Sequence, residues 1–178
     1  MKNSYVYVLD NLWKEISEKL EKRQVKIIYF GKEIEIDLNS KNFKPELETK
    51  EKILILHYLL RKKTEQDFLN DEIISFKELN EGPFYFPSIY SRVYLPLIER
   101  YSENPEKFVE KGISIGGQKI SNFKIKFEIF PEIYYILELI PQDDEFPADI
   151  KIFFNKKASE IFEIEDLAII GELIVSKM

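Results

Sequence analysis

The chain has 178 residues, a net charge of −6, no cysteine and one histidine, His57. This length and an apolar content of 44% predict a folded protein with one core, a single domain over residues 1–178. The absence of cysteine and the single histidine exclude a cysteine nucleophile, a structural zinc site and an iron–sulfur cluster built within this chain. Without cysteine no disulfide framework can form, and the start of the chain has no apolar signal segment, so we expect a cytoplasmic protein.

Charge is distributed unevenly along the chain. Residues 1–63 contain 14 Lys or Arg against 10 Asp or Glu, a balance of +4, whereas residues 128–178, the C-terminal third, contain 4 against 12, a balance of −8. The positive charges of the first part alternate with acids and form no basic stripe, so we expect no nucleic-acid partner. For the same reason we expect no membrane partner, and no apolar run approaches the ~20 residues that span a bilayer.

The first predicted element is a helix over residues 3–22, where apolar residues recur at helical spacing. Strands are predicted over residues 25–30 and 34–38, on either side of Gly31. In the second strand, apolar residues alternate with acidic ones, which is typical of a hairpin with one buried face and one solvated face. This is the clearest hairpin in the chain.

A loop and a second helix are predicted next. Residues 39–46 are predicted to form the loop. Thr49 is predicted to cap a helix that continues through Lys63, and a polar connection follows over residues 64–71. His57 lies in the apolar part of this helix, where a buried or boundary histidine is favoured over a catalytic base.

The segment Gly82–Leu97, called here the proline–aromatic segment, contains five aromatic residues, three prolines and one arginine. A strand over residues 73–76 is predicted before it. Within the segment, residues 88–95 are predicted to be helical, and Pro96 is predicted to kink or interrupt the helix before residues 97–101, because proline lacks the N–H that an inner helical turn requires. A short helix over residues 106–110 is predicted after it.

The last part of the chain alternates apolar and polar residues almost without interruption. Residues 112–117 contain three glycines and are predicted to stop a helix in a tight turn. Strands are predicted over residues 123–129, 134–140 and 150–154, and a helix over residues 163–177. Because helices and strands come in groups rather than in strict alternation, the predicted class is α+β, a mainly antiparallel sheet with helices packed on it.

Four polar residues of the proline–aromatic segment form the candidate ligand-binding site: Tyr85, Tyr90, Ser91 and Arg92. Arg92 is suited to bidentate binding of a carboxylate or phosphate, and tyrosines can stack beside it. Alternatively, Arg92 pairs with an acid of the C-terminal third and holds the segment to the sheet. We favour the ion pair, and we expect the other rings of the segment to pack into the core.

A candidate metal site lies in the acidic loop between the last two strands. Asp143, Asp144, Glu145 and Asp149 offer the oxygen ligands that Mg²⁺ or Ca²⁺ prefers. These residues lack the spacing of a calcium-binding loop, and a solvated connection is the favoured interpretation. No cofactor is predicted.

Several segments carry a resemblance to a known family: residues 76–79, 84–90, 144–148, 152–155 and 165–168. Over roughly residues 48–178 the chain resembles a prokaryotic family of unknown function that is found largely in anaerobes. Some members are joined to a four-cysteine iron–sulfur module similar to that of corrinoid methyl-transfer proteins. The resemblance implies an accessory role near corrinoid or one-carbon metabolism, and it implies no catalytic residues. Because this chain has no cysteine, any cluster would belong to a partner.

Two functions are open from the sequence. The first is a non-catalytic binding or accessory domain that recognises a protein partner or an anionic small ligand through the proline–aromatic segment and the acidic C-terminal third. The second is an enzyme that uses carboxylates and Arg92 on an anionic small molecule, with Mg²⁺ held by residues 143–149. An enzyme requires a concave pocket where Arg92 or Tyr90 meets acids from separate segments. We favour the binding domain, and the residues define no oligomeric state.

Overall fold

The computed structural model of the chain describes residues 2–62 and 72–178. These residues form two compact units, which are described separately below. The predicted end of the second helix at Lys63 and the predicted connection over residues 64–71 lie outside the described residues. The single domain over residues 1–178 stays a prediction.

The first unit combines helices with a small sheet. Its described elements are α1 (Lys2–Lys19), β1 (Gln24–Tyr29), β2 (Lys32–Asp37), β3 (Asn42–Lys44) and α2 (Thr49–Arg61). The strands pair antiparallel in the order β1–β2–β3. In β2, Ile34 and Ile36 are buried, Glu33 and Glu35 are exposed, and Asp37 is half-buried. The predicted hairpin is therefore confirmed.

A third strand forms where a loop is predicted. Within residues 39–46, β3 pairs Phe43 opposite Ile36, and the Phe43 ring is buried. This ring packs against Trp13 of α1, with the ring centroids 5.5 Å apart. The burial of the Phe43 ring stabilises the pairing of this polar stretch with the hairpin. The loop prediction was therefore wrong for Asn42–Lys44.

The start of α2 also differs from the prediction. The helix begins at Thr49, but its N-cap is Glu48. The backbone N–H of Glu48 donates to the carboxylate of Glu51 at 3.2 Å. This contact belongs to a capping box, in which the third helical residue reaches back to the cap, so the chain does not need the Thr49 hydroxyl there.

The described residues of the second unit form a five-stranded sheet with helices packed on it. In chain order its elements are β4 (Ile73–Ser75), a 3-10 turn (Phe76–Glu78), α3 (Gly82–Ile89), a π-helical turn (Tyr90–Tyr94), α4 (Leu95–Tyr101), α5 (Pro105–Ser114), β5 (Gln118–Ser121), β6 (Lys124–Phe130), β7 (Ile133–Ile140), β8 (Asp149–Asn155), α6 (Lys156–Ile161) and α7 (Ile164–Lys177). The strand order is β4–β8–β7–β6–β5, and every neighbouring pair is antiparallel. The predicted α+β class is confirmed.

The core of the second unit lies between one face of this sheet and α7. Alternate residues of the three central strands are buried on that face: Ile125, Phe127, Tyr135, Leu137, Ile150, Ile152 and Phe154. The hydroxyl of Tyr135 donates to the backbone carbonyl of Leu167 at 2.9 Å, which ties the sheet to α7. On several sides α7 has buried residues, among them Leu167, Ile169, Ile170 and Leu173. This helix is therefore enclosed on most of its sides.

Two glycines allow close packing in the second unit. A Cβ atom at Gly82 would lie 1.9 Å from the carbonyl oxygen of Phe76, so only glycine lets α3 start against the 3-10 turn. A Cβ atom at Gly112 would lie 2.2 Å from Cδ1 of Ile125 in β6. The helix stop predicted over residues 112–117 is confirmed: α5 continues through Gly112 and ends at Ser114, and Gly116 follows in a turn with φ +98°.

We expect Gly82→Ala to lower the free energy of unfolding by about 2 kcal/mol or more, because the neighbouring backbone carbonyl cannot move without displacing the turn. Gly112→Ala is the matched control. Its neighbour is the flexible end of an isoleucine side chain, and alanine favours a helix by about 1 kcal/mol over glycine. Urea unfolding followed by circular dichroism measures both variants. Equal losses for the two would contradict the packing argument.

Candidate functional site

The backbone of the proline–aromatic segment is shaped by its prolines. Pro87 lies inside α3, and Pro96 lies in the first turn of α4. Because Pro96 has no N–H, it cannot make the helical hydrogen bond to the carbonyl of Arg92, and a proline ring crowds that carbonyl. The chain widens here, and the N–H of Leu95 donates to the carbonyl of Tyr90. The predicted kink or interruption takes the form of a π-helical turn at Tyr90–Tyr94, and α4 continues through Pro96.

The helix of this segment starts earlier than predicted, at Gly82 rather than at residue 88. Proline is compatible with a first helical turn, so Pro83 permits this start. One consequence is that a continuous helix turns some rings away from the core. Phe84 is 83% exposed and Tyr85 is 38% exposed, and the two rings meet edge to face at 5.2 Å. The prediction that the rings outside the candidate site pack into the core was wrong for Phe84.

Three other rings of the segment form an aromatic ladder on one side of the helix: Phe86, Tyr90 and Tyr94. Tyr90 and Tyr94 are stacked, with ring centroids 5.6 Å apart and an angle of 18° between the planes. Phe86 meets Tyr94 edge to face at 5.3 Å. The Tyr94 ring is buried, whereas the Tyr90 ring is half-buried. The ladder therefore presents a stiff aromatic surface that is partly open to solvent.

The aromatic ladder lines a pocket of about 390 Å³, called here the aromatic pocket. Its other lining residues come from β4, the 3-10 turn and β8: Ser75, Lys77, Asp149, Ile150, Lys151, Ile152 and Phe153. The antiparallel pairing of β4 with β8 brings these segments together. The pocket thus joins a helix, a turn and a sheet edge that are distant in the sequence.

The charges of the aromatic pocket are predominantly positive. Lys77 and Lys151 contribute two ammonium groups, against one carboxylate from Asp149 among the described lining residues. The Nζ atom of Lys77 lies 4.4 Å from the centroid of the Phe86 ring, a cation–π contact. Burial, and secondly the charge of Asp149, raises the pKa of Tyr94 well above its ordinary value, so its hydroxyl stays protonated. In a chain of net negative charge, this pocket is suited to an anion.

Arg92 lies on the π-helical turn and pairs with two acids of α7. Its Nη1 donates to Glu172 at 2.7 Å and to Glu165 at 3.1 Å, and its Nη2 donates to the second oxygen of Glu165 at 3.1 Å. The hydrogen bonds with Glu165 are the largest cause that raises the pKa of Arg92 above its ordinary value. The expected ion pair with the C-terminal third is therefore present. A ligand-binding role for Arg92 stays a prediction.

The other two predicted site residues lie elsewhere on the segment. The hydroxyl of Ser91 donates to the carbonyl of Ser88 at 2.9 Å, within its own helix. Tyr85 lines a second concavity of about 620 Å³, called here the α7 groove. The structure thus brings Tyr90 to one pocket and Tyr85 to another, and it does not gather the four residues into one site.

The α7 groove lies beside the first turn of α7. Its lining residues come from the stretch before α3, from α3 itself, and from α6 through α7: Leu79, Asn80, Glu81, Tyr85, Ser159, Phe162, Glu163, Ile164, Glu165 and Leu167. Acidic and apolar side chains alternate in this set, and the described lining includes no lysine or arginine. Since Glu165 also pairs with Arg92, the ion pair borders this groove.

The predicted metal-binding residues fall into two places. Asp143, Asp144 and Glu145 are exposed in the loop before β8, where the Asp143 carboxylate accepts the backbone N–H groups of Glu145 at 2.9 Å and Phe146 at 2.7 Å. Asp149 instead begins β8 and lines the aromatic pocket. Over residues 2–62 and 72–178, no group of three or more His, Cys, Asp or Glu is placed to hold a metal ion.

Tyr90 was predicted as a site residue from the sequence, whereas four other residues of the aromatic pocket were not: Lys77, Phe86, Tyr94 and Lys151. The rings at 86, 90 and 94 recur every four residues, and this spacing would have identified them as one helix face. Nothing in the sequence signals Lys151, because its place depends on how β8 pairs with β4 and β7.

The fold and the aromatic pocket together define an α+β protein with a cationic, ring-lined concavity. The chain belongs to the family described as Domain of unknown function (DUF3786), whose model matches residues 10–177. This match is longer than the resemblance over residues 48–178, since it also includes the hairpin of the first unit and most of α1. No curated protein and no solved structure matches the chain. Within the part of the chain that the structure describes, no helix is long and apolar enough to cross a membrane.

We expect Arg92→Met to lower the free energy of unfolding by about 1 kcal/mol, because it removes a bidentate pair between the π-helical turn and α7. Arg92→Lys keeps the charge but loses the planar fork, so its loss should be intermediate. Urea unfolding at low and at high salt measures these losses, and high salt should reduce the difference.

The control for this prediction is Lys156→Met. The Lys156 side chain pairs with Glu72 at 2.9 Å, and the two side chains are 48% and 53% exposed. We expect its removal to cost no more than about 0.5 kcal/mol. A loss at Arg92 no larger than the loss at Lys156 would contradict a structural role for the Arg92 pair.

Proposed function

We propose that this protein is a non-catalytic binding domain that takes a small organic anion with a planar ring in the aromatic pocket. The observation that carries the proposal is the stacked Tyr90–Tyr94 pair facing a pocket that also contains Lys77 and Lys151. The ring of the ligand would stack on the half-buried Tyr90, and its anionic group would meet the two ammonium groups.

Size and stiffness support this assignment. A volume of about 390 Å³ falls within the range of pockets that hold small ligands. Tyr94 beneath Tyr90 is buried, and its hydroxyl contacts the backbone carbonyl of Ile152 at 3.5 Å. Because the buried Tyr94 ring supports Tyr90, little conformational entropy is lost when a ligand ring stacks on Tyr90.

The charges support an anion rather than a cation or a neutral ligand. Two lysines and one aspartate leave the described lining with a net charge of +1. Asp149 adds an acceptor for an N–H or O–H group on the ligand, which would favour an anion that also carries a donor. Arg92 is not needed for contact, because it is held by α7; it supports the turn that carries Tyr90.

The alternative, an enzyme that uses Arg92 and carboxylates, has less support. The two acids that meet Arg92 lie on one helix, α7, whereas the enzyme hypothesis asks for acids from separate segments. The aromatic pocket contributes one carboxylate among its described lining residues, too few for paired acid–base work. We therefore favour a binding role over an enzymatic one.

The proposal includes a cytoplasmic location and an accessory role near corrinoid or one-carbon metabolism. The second of these rests on the family resemblance alone. An iron–sulfur cluster, where one takes part, would belong to a partner protein, since the chain contains no cysteine.

Thermal shift with matched ligands tests the proposal. The panel pairs ring-bearing anions (AMP, flavin mononucleotide, benzoate) with neutral counterparts (adenosine, riboflavin, benzamide), and adds citrate as an anion without a ring. We expect at least one ring-bearing anion to raise the melting temperature more than its counterpart. At a concentration of 100 Kd, binding adds about 2.7 kcal/mol, which corresponds to roughly 5–10 °C.

Two variants locate the binding site. Tyr90→Ala and Lys151→Gln should each reduce the shift, because they remove the stacking surface and one ammonium group. Tyr85→Ala, in the α7 groove, is the control and should leave the shift unchanged. The proposal fails if no ring-bearing anion raises the melting temperature, or if Tyr90→Ala leaves the shift intact.

A further inference from the structure

We propose that the α7 groove is a docking surface for a basic amphipathic helix of a partner protein. This inference goes beyond the aromatic pocket and is independent of it, because the two concavities share no lining residue. Three observations on the described residues carry it: apolar lining residues, acidic lining residues, and an arginine at the border that pairs with two acids.

The floor of the groove is apolar. Leu79, Tyr85, Phe162 and Ile164 contribute to its lining, and Tyr85 is 38% exposed. Beside Tyr85, the ring of Phe84 is 83% exposed, so the groove continues into an aromatic edge open to solvent. Large exposed rings next to a concave apolar surface are typical of protein-binding sites.

The rim of the groove is acidic. Glu81, Glu163 and Glu165 line it, and no lysine or arginine is among the described lining residues. An anionic ligand would meet these carboxylates, and the positive end of the α7 dipole is already occupied by Glu163, Glu165 and Asp166. Charge complementarity therefore points to a partner with lysine or arginine on both sides of an apolar stripe. An amphipathic basic helix has this pattern.

The ion pair at the border of the groove allows one carboxylate to change partners. Arg92 makes its shorter contact, 2.7 Å, with Glu172, whose side chain is 21% exposed, whereas Glu165 is 51% exposed. If Glu165 turns to a cation of the partner, Arg92 keeps Glu172. The groove can therefore offer a third carboxylate without leaving the guanidinium unpaired, which lowers the cost of binding.

Fluorescence anisotropy with a synthetic probe tests the proposal on the full chain. The probe is a labelled peptide of about 14 residues, four helical turns, with leucine and lysine at helical spacing. Its controls are a scrambled peptide of the same composition and a peptide with glutamate in place of lysine. We expect the amphipathic basic peptide to bind at least about tenfold more tightly than either control, and more weakly at high salt.

Variants distinguish the groove from general attraction to an acidic protein. Glu81→Gln with Glu163→Gln should weaken binding by about fivefold, and Tyr85→Ala by about tenfold. Glu145→Gln, an exposed acid in the loop before β8, and Tyr90→Ala, in the aromatic pocket, should leave the affinity unchanged.

Three results would overturn the proposal: equal binding of the amphipathic and scrambled peptides, an affinity that the Glu81 and Glu163 substitutions do not change, or self-association of the chain that Tyr85→Ala abolishes. The last result, measured by sedimentation, would assign the groove to a second copy. The small-anion proposal is tested separately by ligand-induced melting shifts and Tyr90→Ala, so either proposal can fail without the other.

Discussion

The π-helical turn of the second unit depends on one missing hydrogen-bond donor, the backbone N–H of Pro96. Without it, the helix widens into a π-helical turn at Tyr90–Tyr94, where the N–H of Leu95 reaches back to the carbonyl of Tyr90. Residues four apart on this turn lie near the same face, whereas a residue between them faces almost the opposite way. The tyrosine stack is therefore directed to β8 while Arg92 meets α7. The turn beside Pro96 thus carries the aromatic ladder on one side and the Arg92 ion pair on the other.

Much of the fold follows from local alternation in the sequence. The hairpin around Gly31 was predictable because its apolar and acidic residues alternate, and α7 was predictable from its helical spacing. Features set by distant contacts were not. The short strand at Phe43 depends on a buried ring, and the packing of α5 on β6 involves the close approach of Ile125 to Gly112. Such contacts form only when the helices and strands pack together, so no local sequence pattern predicts them.

The candidate site likewise has some features that could be predicted from the sequence and others that could not. The ion pair of Arg92 with the C-terminal third was anticipated, because a lone arginine among apolar residues needs an acid when it is partly buried. Tyr90 was anticipated as a binding residue, a role that is still a proposal. The grouping of Tyr85, Ser91 and Arg92 with it was not supported by their positions, since a helix distributes neighbouring residues around its axis. Lys151 depends on strand pairing, which composition does not reveal.

The single tryptophan of the chain, Trp13, lies in the first unit, where it is buried against Phe43. Its fluorescence consequently reports the packing of that unit, whereas far-ultraviolet circular dichroism records the backbone of both. If residues 1–178 unfold as one cooperative body, the two signals follow the same transition; if each unit is stable by itself, they separate. The chain thus carries an intrinsic optical probe that distinguishes one folding domain from two.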